Sequence, residues 1–112
     1  LYNRALVFYT QQDYARSISE CYRCIDYHDY GYAYYLLGDN YLSVGNYDSA
    51  IYALEQAYQK DVPDPQLAVN LGEAHYKKAN NNEARRYFSE ALQQDSALVE
   101  VYDRMAILDP AN

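Results

Sequence analysis

Long apolar runs are missing from this chain: none approaches the ~18 residues of a membrane-crossing helix, and no secretory signal is visible. Basic clusters are missing too. Lysine and arginine total 9 against 16 acidic residues, the formal net charge is −7, and the longest basic runs are Lys77-Lys78 and Arg85-Arg86. A chain of that sign repels phosphate backbones and anionic lipid, so nucleic acid and membrane surfaces are poor partners. The 4 glycines are scattered, which leaves no phosphate-cradling loop. The 2 cysteines cannot build a four-ligand zinc site, and the 2 histidines, His28 and His75, fall in a joint and in a packing register. No metal site, cofactor or Ser-His-Asp constellation is therefore expected, and no enzyme. No period-two stretch bounded by turns argues for strands. The chain opens at Leu1 without a methionine and reads as the excised core of a longer protein.

What is abundant is tyrosine, with 16 copies in 112 residues. Each combines a large ring with a polar tip, which suits a core that opens onto a wet binding surface. The chain is also periodic. The stretch from Gly31 to Pro65 has fixed points at Tyr34, Leu37, Gly38, Tyr41, Gly45, Tyr47, Ala50, Leu54 and Ala57. One step of about 34 residues forward finds Leu71, Gly72, His75, Ala79, Asn81, Ala84, Phe88 and Ala91. A similar step back finds Arg4, Ala5, Phe8, Gln12, Tyr14, Ser17, Cys21 and Cys24, where sizes are kept but the Leu-Gly pair is lost. A last step forward reaches Met105 and Ala106.

These spacings resemble the tetratricopeptide (TPR) repeat, a helix-turn-helix unit. The resemblance implies an all-α, right-handed superhelical TPR solenoid. Its three helix-turn-helix repeats fall at about 1–30, 31–64 and 65–98, with a C-terminal capping helix at about 97–109, in a single domain over 1–112. Gly38 and Ala50 belong where paired helices cross closely, and Gly45 belongs at a turn that needs positive φ. Helix boundaries follow from the breakers Gly45-Asn46 and Asp61-Val62-Pro63-Asp64-Pro65, and from the cap candidates Asn80, Asn81 and Asn82.

In such a stack the first helix of each repeat lines a concave groove. The positions facing it are Tyr2, Leu6 and Tyr9; then Tyr32, Tyr35, Asp39 and Leu42; then Gln66, Val69, Glu73 and Tyr76. Spacings of three and four keep each set on one helical face. Such a surface can pocket apolar side chains of an extended peptide, with hydroxyls and two acids left for its backbone or basic groups. The plainer alternative is that these tyrosines are packing and surface residues of a tyrosine-rich chain. Carboxylate-clamp TPRs, which grip acidic chaperone C-termini, carry Lys, Asn and Arg where this chain has Tyr2, Leu6, Tyr35, Asp39, Val69 and Glu73. The clamp is absent.

Leu1-Tyr2, Ala5, Tyr9 and Tyr14 open the chain; Gly45-Asn46-Tyr47-Asp48-Ser49-Ala50-Ile51 and Asp61-Val62-Pro63-Asp64-Pro65 follow, with Glu73 and Glu83-Ala84. Together they resemble the class II chaperones of type III secretion translocators. The resemblance implies a bacterial cytoplasmic chaperone that holds a hydrophobic translocator soluble through an extended segment bound in the groove, and a homodimer. Two features depart from the family's spelling: the joint Tyr27-His28-Asp29-Tyr30-Gly31, and Arg4 in a normally apolar slot. A scaffold segment cut from a larger TPR protein is the alternative function. Cys21-Tyr22-Arg23-Cys24 spells C-x-x-C, but both cysteines take the registers of Leu54 and Ala57 and read as small buried hydrophobes.

Overall fold

The computed structural model describes residues 1–108. Over that span every regular element is an α-helix: α1 (Tyr2–Thr10), α2 (Tyr14–His28), α3 (Gly31–Ser43), α4 (Tyr47–Gln59), α5 (Pro65–Lys77), α6 (Asn81–Gln94) and α7 (Val99–Leu108). The breaks fall where the sequence expectation has them, with Gly45-Asn46 between α3 and α4 and Asp61-Val62-Pro63-Asp64 between α4 and α5. The expected end of the capping helix, at about 109, lies outside the described residues.

The second helix of each pair buries the same quartet: Ser17, Glu20, Cys21 and Cys24 on α2; Ala50, Ala53, Leu54 and Ala57 on α4; Ala84, Tyr87, Phe88 and Ala91 on α6. The spacing i, i+3, i+4, i+7 makes one buried stripe on each helix, apolar on α4 and α6 and part polar on α2 through Ser17 and Glu20, and that stripe packs on the helix before it. Caps fix the starts. Asp13 accepts from the Arg16 backbone N–H at 3.3 Å and Asn46 from that of Ser49 at 3.3 Å. Asp64 accepts from that of Gln66 at 2.9 Å, with Pro65 in the first helical turn, where its missing N–H costs nothing. Asn80 holds the cap position of α6 without capping it, because its side-chain amide pairs with His75 Nδ1 at 3.2 Å.

The turn inside each pair is the same left-handed corner: φ is +61° at Gln12, +81° at Gly45 and +62° at Ala79. Close crossing follows from small residues. A Cβ built on Gly72 would lie 2.5 Å from Phe88 Cε1, and one on Gly38 would lie 2.5 Å from Leu54 Cδ2.

The chain forms two compact units, one spanning Leu1–Val62 and one beginning at Pro63. The first holds a core of Ala5, Cys21, Leu36, Leu37 and Ala53. A buried polar thread runs through it: Asn40 Nδ2 donates to Ser17 Oγ at 2.8 Å, and that hydroxyl donates to the Ala5 carbonyl at 2.8 Å. Arg4, the departure from the family's apolar slot, lies 3.6 Å from Glu20 Oε1 and 5.9 Å from the Phe8 ring. One unusual residue thus accompanies the other, since the α4 and α6 counterparts of the buried Glu20 are Ala53 and Tyr87. The second unit packs α5, α6 and α7 around Ala68, Val69, Phe88, Ala91, Val101 and Leu108.

Candidate functional site

In the first unit, Tyr2, Leu6 and Tyr9 of α1 and Tyr32, Tyr35, Asp39 and Leu42 of α3 are all half-buried. The inner side of the α1 set rests on the core while the outer side faces solvent. Tyr2 meets Tyr30 edge-on, with centroids 5.4 Å apart, and Tyr30 meets Tyr32 at 5.5 Å, so rings link the start of α1 to the start of α3. Tyr9 meets Tyr14 at 5.8 Å, and its hydroxyl shares a hydrogen bond with Ser43 of α3. Burial raises the pKa of Tyr2 and Tyr9, and the field of Asp39 adds to both shifts. Both phenols therefore stay protonated at neutral pH and can donate hydrogen bonds. The expected α1 and α3 residues thus form neighbouring parts of an aromatic face with one carboxylate.

Tyr30, Ser43 and a side cavity were not foreseen. Leu1, Tyr2, Asn3, Cys24, His28 and Tyr30 line a cavity of about 530 Å³ in the first unit. The four-residue separation of Cys24 and His28 on α2 was the legible sign that they share a helical face. Cys21 and Cys24 are free and buried, and burial pushes the Cys21 thiol up to about 12. An inert, packed role for Cys21 follows, because the thiolate is the reactive form.

The second unit treats its share of the expected residues differently. Gln66 is half-buried and donates through Nε2 to Asn70 Oδ1 at 3.1 Å. Val69 is buried in the core with Val101 and Leu108 of α7. Glu73 accepts from Arg104 Nε at 2.6 Å and Nη2 at 3.2 Å, and the same guanidinium lies 4.6 Å over the Tyr76 ring. The Glu73 hydrogen bond is the main cause of a raised Arg104 pKa. Helix α7 therefore engages Val69, Glu73 and Tyr76. A cavity of about 430 Å³ remains beside the ion pair, with Gln66, Glu100 and Asp103 on its wall. No group of three or more metal-ligating side chains occurs among the described residues, and none of their helices is long and apolar enough to cross a membrane.

Comparison with known proteins gives the same architecture. A mouse (Mus musculus) protein, tetratricopeptide repeat protein 21B, is 33% identical over 76 residues, which are 68% of this chain and only 6% of that protein. The second TPR domain of human RPAP3, solved with the HSP70 peptide SGPTIEEVD, superposes with a TM-score of 0.87 at 20% identity. The match covers 95% of this chain and 89% of that one. The type III secretion translocator chaperone SycD of Yersinia enterocolitica superposes at 0.89 with 16% identity, over 96% and 79% of the two chains. SycD in complex with a peptide of the translocator YopD superposes at 0.80 with 18% identity, over 96% and 82%. Identities this low speak for a shared fold. The Tetratricopeptide repeat model matches residues 35–99, more than half of the sequence, and the buried quartet recurs in α2, α4 and α6; the chain belongs to the tetratricopeptide repeat family.

Proposed function

We propose that this chain acts as a single TPR domain, a non-enzymatic module that holds an extended, apolar segment of a client protein and keeps it soluble, as a type III translocator chaperone does. The observation that carries this reading is the aromatic face of the first unit. Tyr2, Leu6 and Tyr9 expose ring and aliphatic surface while their inner sides rest on the core, half-buried Tyr32 and Tyr35 extend that surface on α3, and the protonated hydroxyls of Tyr2 and Tyr9 lie in the field of Asp39. A surface held in place in this way spends little entropy on binding. Alternate side chains of an extended segment would enter between the rings, and its backbone would bond the hydroxyls. In the second unit, Gln66 and the Glu73–Arg104–Tyr76 group offer polar and aromatic contacts, while Val69 supports them from within. The mechanism is stoichiometric: covering an aggregation-prone segment removes it from solution until release. The matching place of action is the bacterial cytoplasm, and a homodimer fits the same reading.

The test is calorimetry with the polypeptide that co-purifies with the chain. Tyr9→Ala and Tyr35→Ala should each weaken binding by ~1–3 kcal/mol, the range of a pocketed aromatic anchor, with helicity unchanged. Wild-type affinity in both variants would overturn the assignment of this face. The match to 6% of a much larger repeat protein favours a second reading, a scaffold segment in permanent assembly. Co-expression separates the two, since a chaperone makes an otherwise insoluble client soluble and a scaffold segment does not.

A further inference from the structure

The cavity of about 430 Å³ in the second unit is walled by α5 and by α7, which takes the first-helix register of a following repeat, and α6 supplies none of its lining. Its volume lies within the ~300–1,000 Å³ of ligand pockets. Register places it on the side that first helices line. One and two repeats back, Glu100 aligns with Gln66 and Tyr32, and Asp103 aligns with Val69 and Tyr35. The second helix of each pair packs elsewhere: α6 covers Gly72 through Phe88, and α4 covers Gly38 through Leu54. Tyr32 and Tyr35 stay half-open under that arrangement. A helix following α7 would meet the corresponding Ala106 and leave Glu100 and Asp103 just as open.

The charges on this wall do not cancel. Its guanidinium, Arg104, is committed: Glu73 accepts from Nε and Nη2 at 2.6 and 3.2 Å, and the Tyr76 ring lies 4.6 Å beneath it. Glu100 and Asp103 are exposed and have no ion-pair partner among the described residues. Gln66 spends its amide nitrogen on Asn70 Oδ1, which leaves the Gln66 carbonyl oxygen as an acceptor. The cavity thus offers acceptors and uncompensated negative charge. An anion would be repelled there, and an apolar side chain would strip water from carboxylates without replacing its hydrogen bonds. A cation carrying several N–H donors answers both.

We propose that this cavity is the subsite for a basic side chain, lysine or arginine, of the client segment. The client recognised then carries positive charge as well as apolar side chains, and Glu100 and Asp103 of α7 select for it. The inference rests on the proposed function and adds to it a feature of the client, carried by side chains of the second unit alone.

The test uses the full chain and the double variant Glu100→Gln, Asp103→Asn, whose exposed positions leave helicity unchanged. The probes are the peptide acetyl-ALKLA-amide and its twin with glutamine in place of lysine, followed by NMR. The lysine peptide should give saturable shifts at the side-chain amides of Gln66 and Asn70 and along 100–104. The glutamine twin, or the double variant, should weaken that titration about fivefold or more. Tyr9→Ala should leave it unchanged. Four outcomes would overturn the inference: no saturable shifts, equal affinity for the two peptides, indifference to the double variant, or shifts spread evenly over acidic residues outside the cavity. The co-purifying client separates the two claims. Affinity lost in Tyr9→Ala but not in the double variant would keep the proposed function and remove this subsite. Affinity lost in the double variant alone would keep the subsite and remove the aromatic face from the reading.

Discussion

At the scale of single residues, the intra-repeat corner shows what conformation costs. Gln12, Gly45 and Ala79 adopt the same left-handed backbone, although only Gly45 does so without a Cβ penalty. Ala79→Gly should therefore raise stability by about 0.5–1 kcal/mol. Gly45→Ala should lower it by about 1 kcal/mol, a pure backbone effect because a Cβ there meets nothing within 4 Å. Urea denaturation of the two variants checks both signs. Cys21 gives a pH-dependent counterpart. Its folded pKa of about 12 lies above the ordinary thiol value of 9.0, so the folded state keeps a proton that the unfolded state releases. That contribution is complete well below pH 9 and is lost as pH rises through 9 toward 12. Tyr2, Tyr9, Tyr22 and Tyr34 are raised from 10.0 and add a loss of the same sign that grows as pH approaches and passes 10. Between pH 9 and 10 stability should thus fall in both proteins, and more steeply in the wild type than in Cys21→Ala, by an excess of up to about 1 kcal/mol read from the urea midpoints.

At the scale of helix pairs, three solutions to one packing problem stand in a single chain. Gly38 meets Leu54, Gly72 meets Phe88, and in the first repeat the same registers hold Ala5 and Cys21. A methyl added on one side goes with a smaller side chain on the other, since an interior at crystal-like density has no spare volume. Gly38→Ala alone should cost about 1–3 kcal/mol by overpacking against Leu54, and Leu54→Cys alone about 1–3 kcal/mol by cavity formation. The double variant reproduces the pair in the first repeat and should lose clearly less than the sum of the singles in a thermal-denaturation cycle. Additive losses would show that the first repeat tolerates its residues for another reason. The helix pairs were legible because small and large residues recur at a fixed period, and breakers mark the turns. The buried Asn40–Ser17–Ala5 thread and the Arg4–Glu20 contact were not, because a polar residue on an apolar stripe does not announce its partner in a different helix.

At the scale of the whole molecule, binding preference follows from the sign and shape of what is offered. RPAP3 shares the fold and is seen with the acidic peptide SGPTIEEVD. This chain presents tyrosines and Asp39 on its first unit, and Glu73 already joined to Arg104 on its second. Calorimetry with SGPTIEEVD should accordingly show no saturable binding up to about millimolar peptide, since like charges brought face to face oppose docking. Tight binding would mean that cations such as Arg4 or Arg104 are recruited from their present partners. The linear order of residues was enough to determine the helices, their corners and the faces on which Tyr2, Leu6, Tyr9, Tyr32, Tyr35, Asp39 and Leu42 stand, because period and breaker chemistry are local. Only the tertiary structure decided that Val69 is buried under α7, that Arg104 holds Glu73 and lies over Tyr76, and that Tyr30 bridges Tyr2 and Tyr32. Those outcomes depend on which side chains from distant helices reach the same space first, and spacing along the chain carries no information about that.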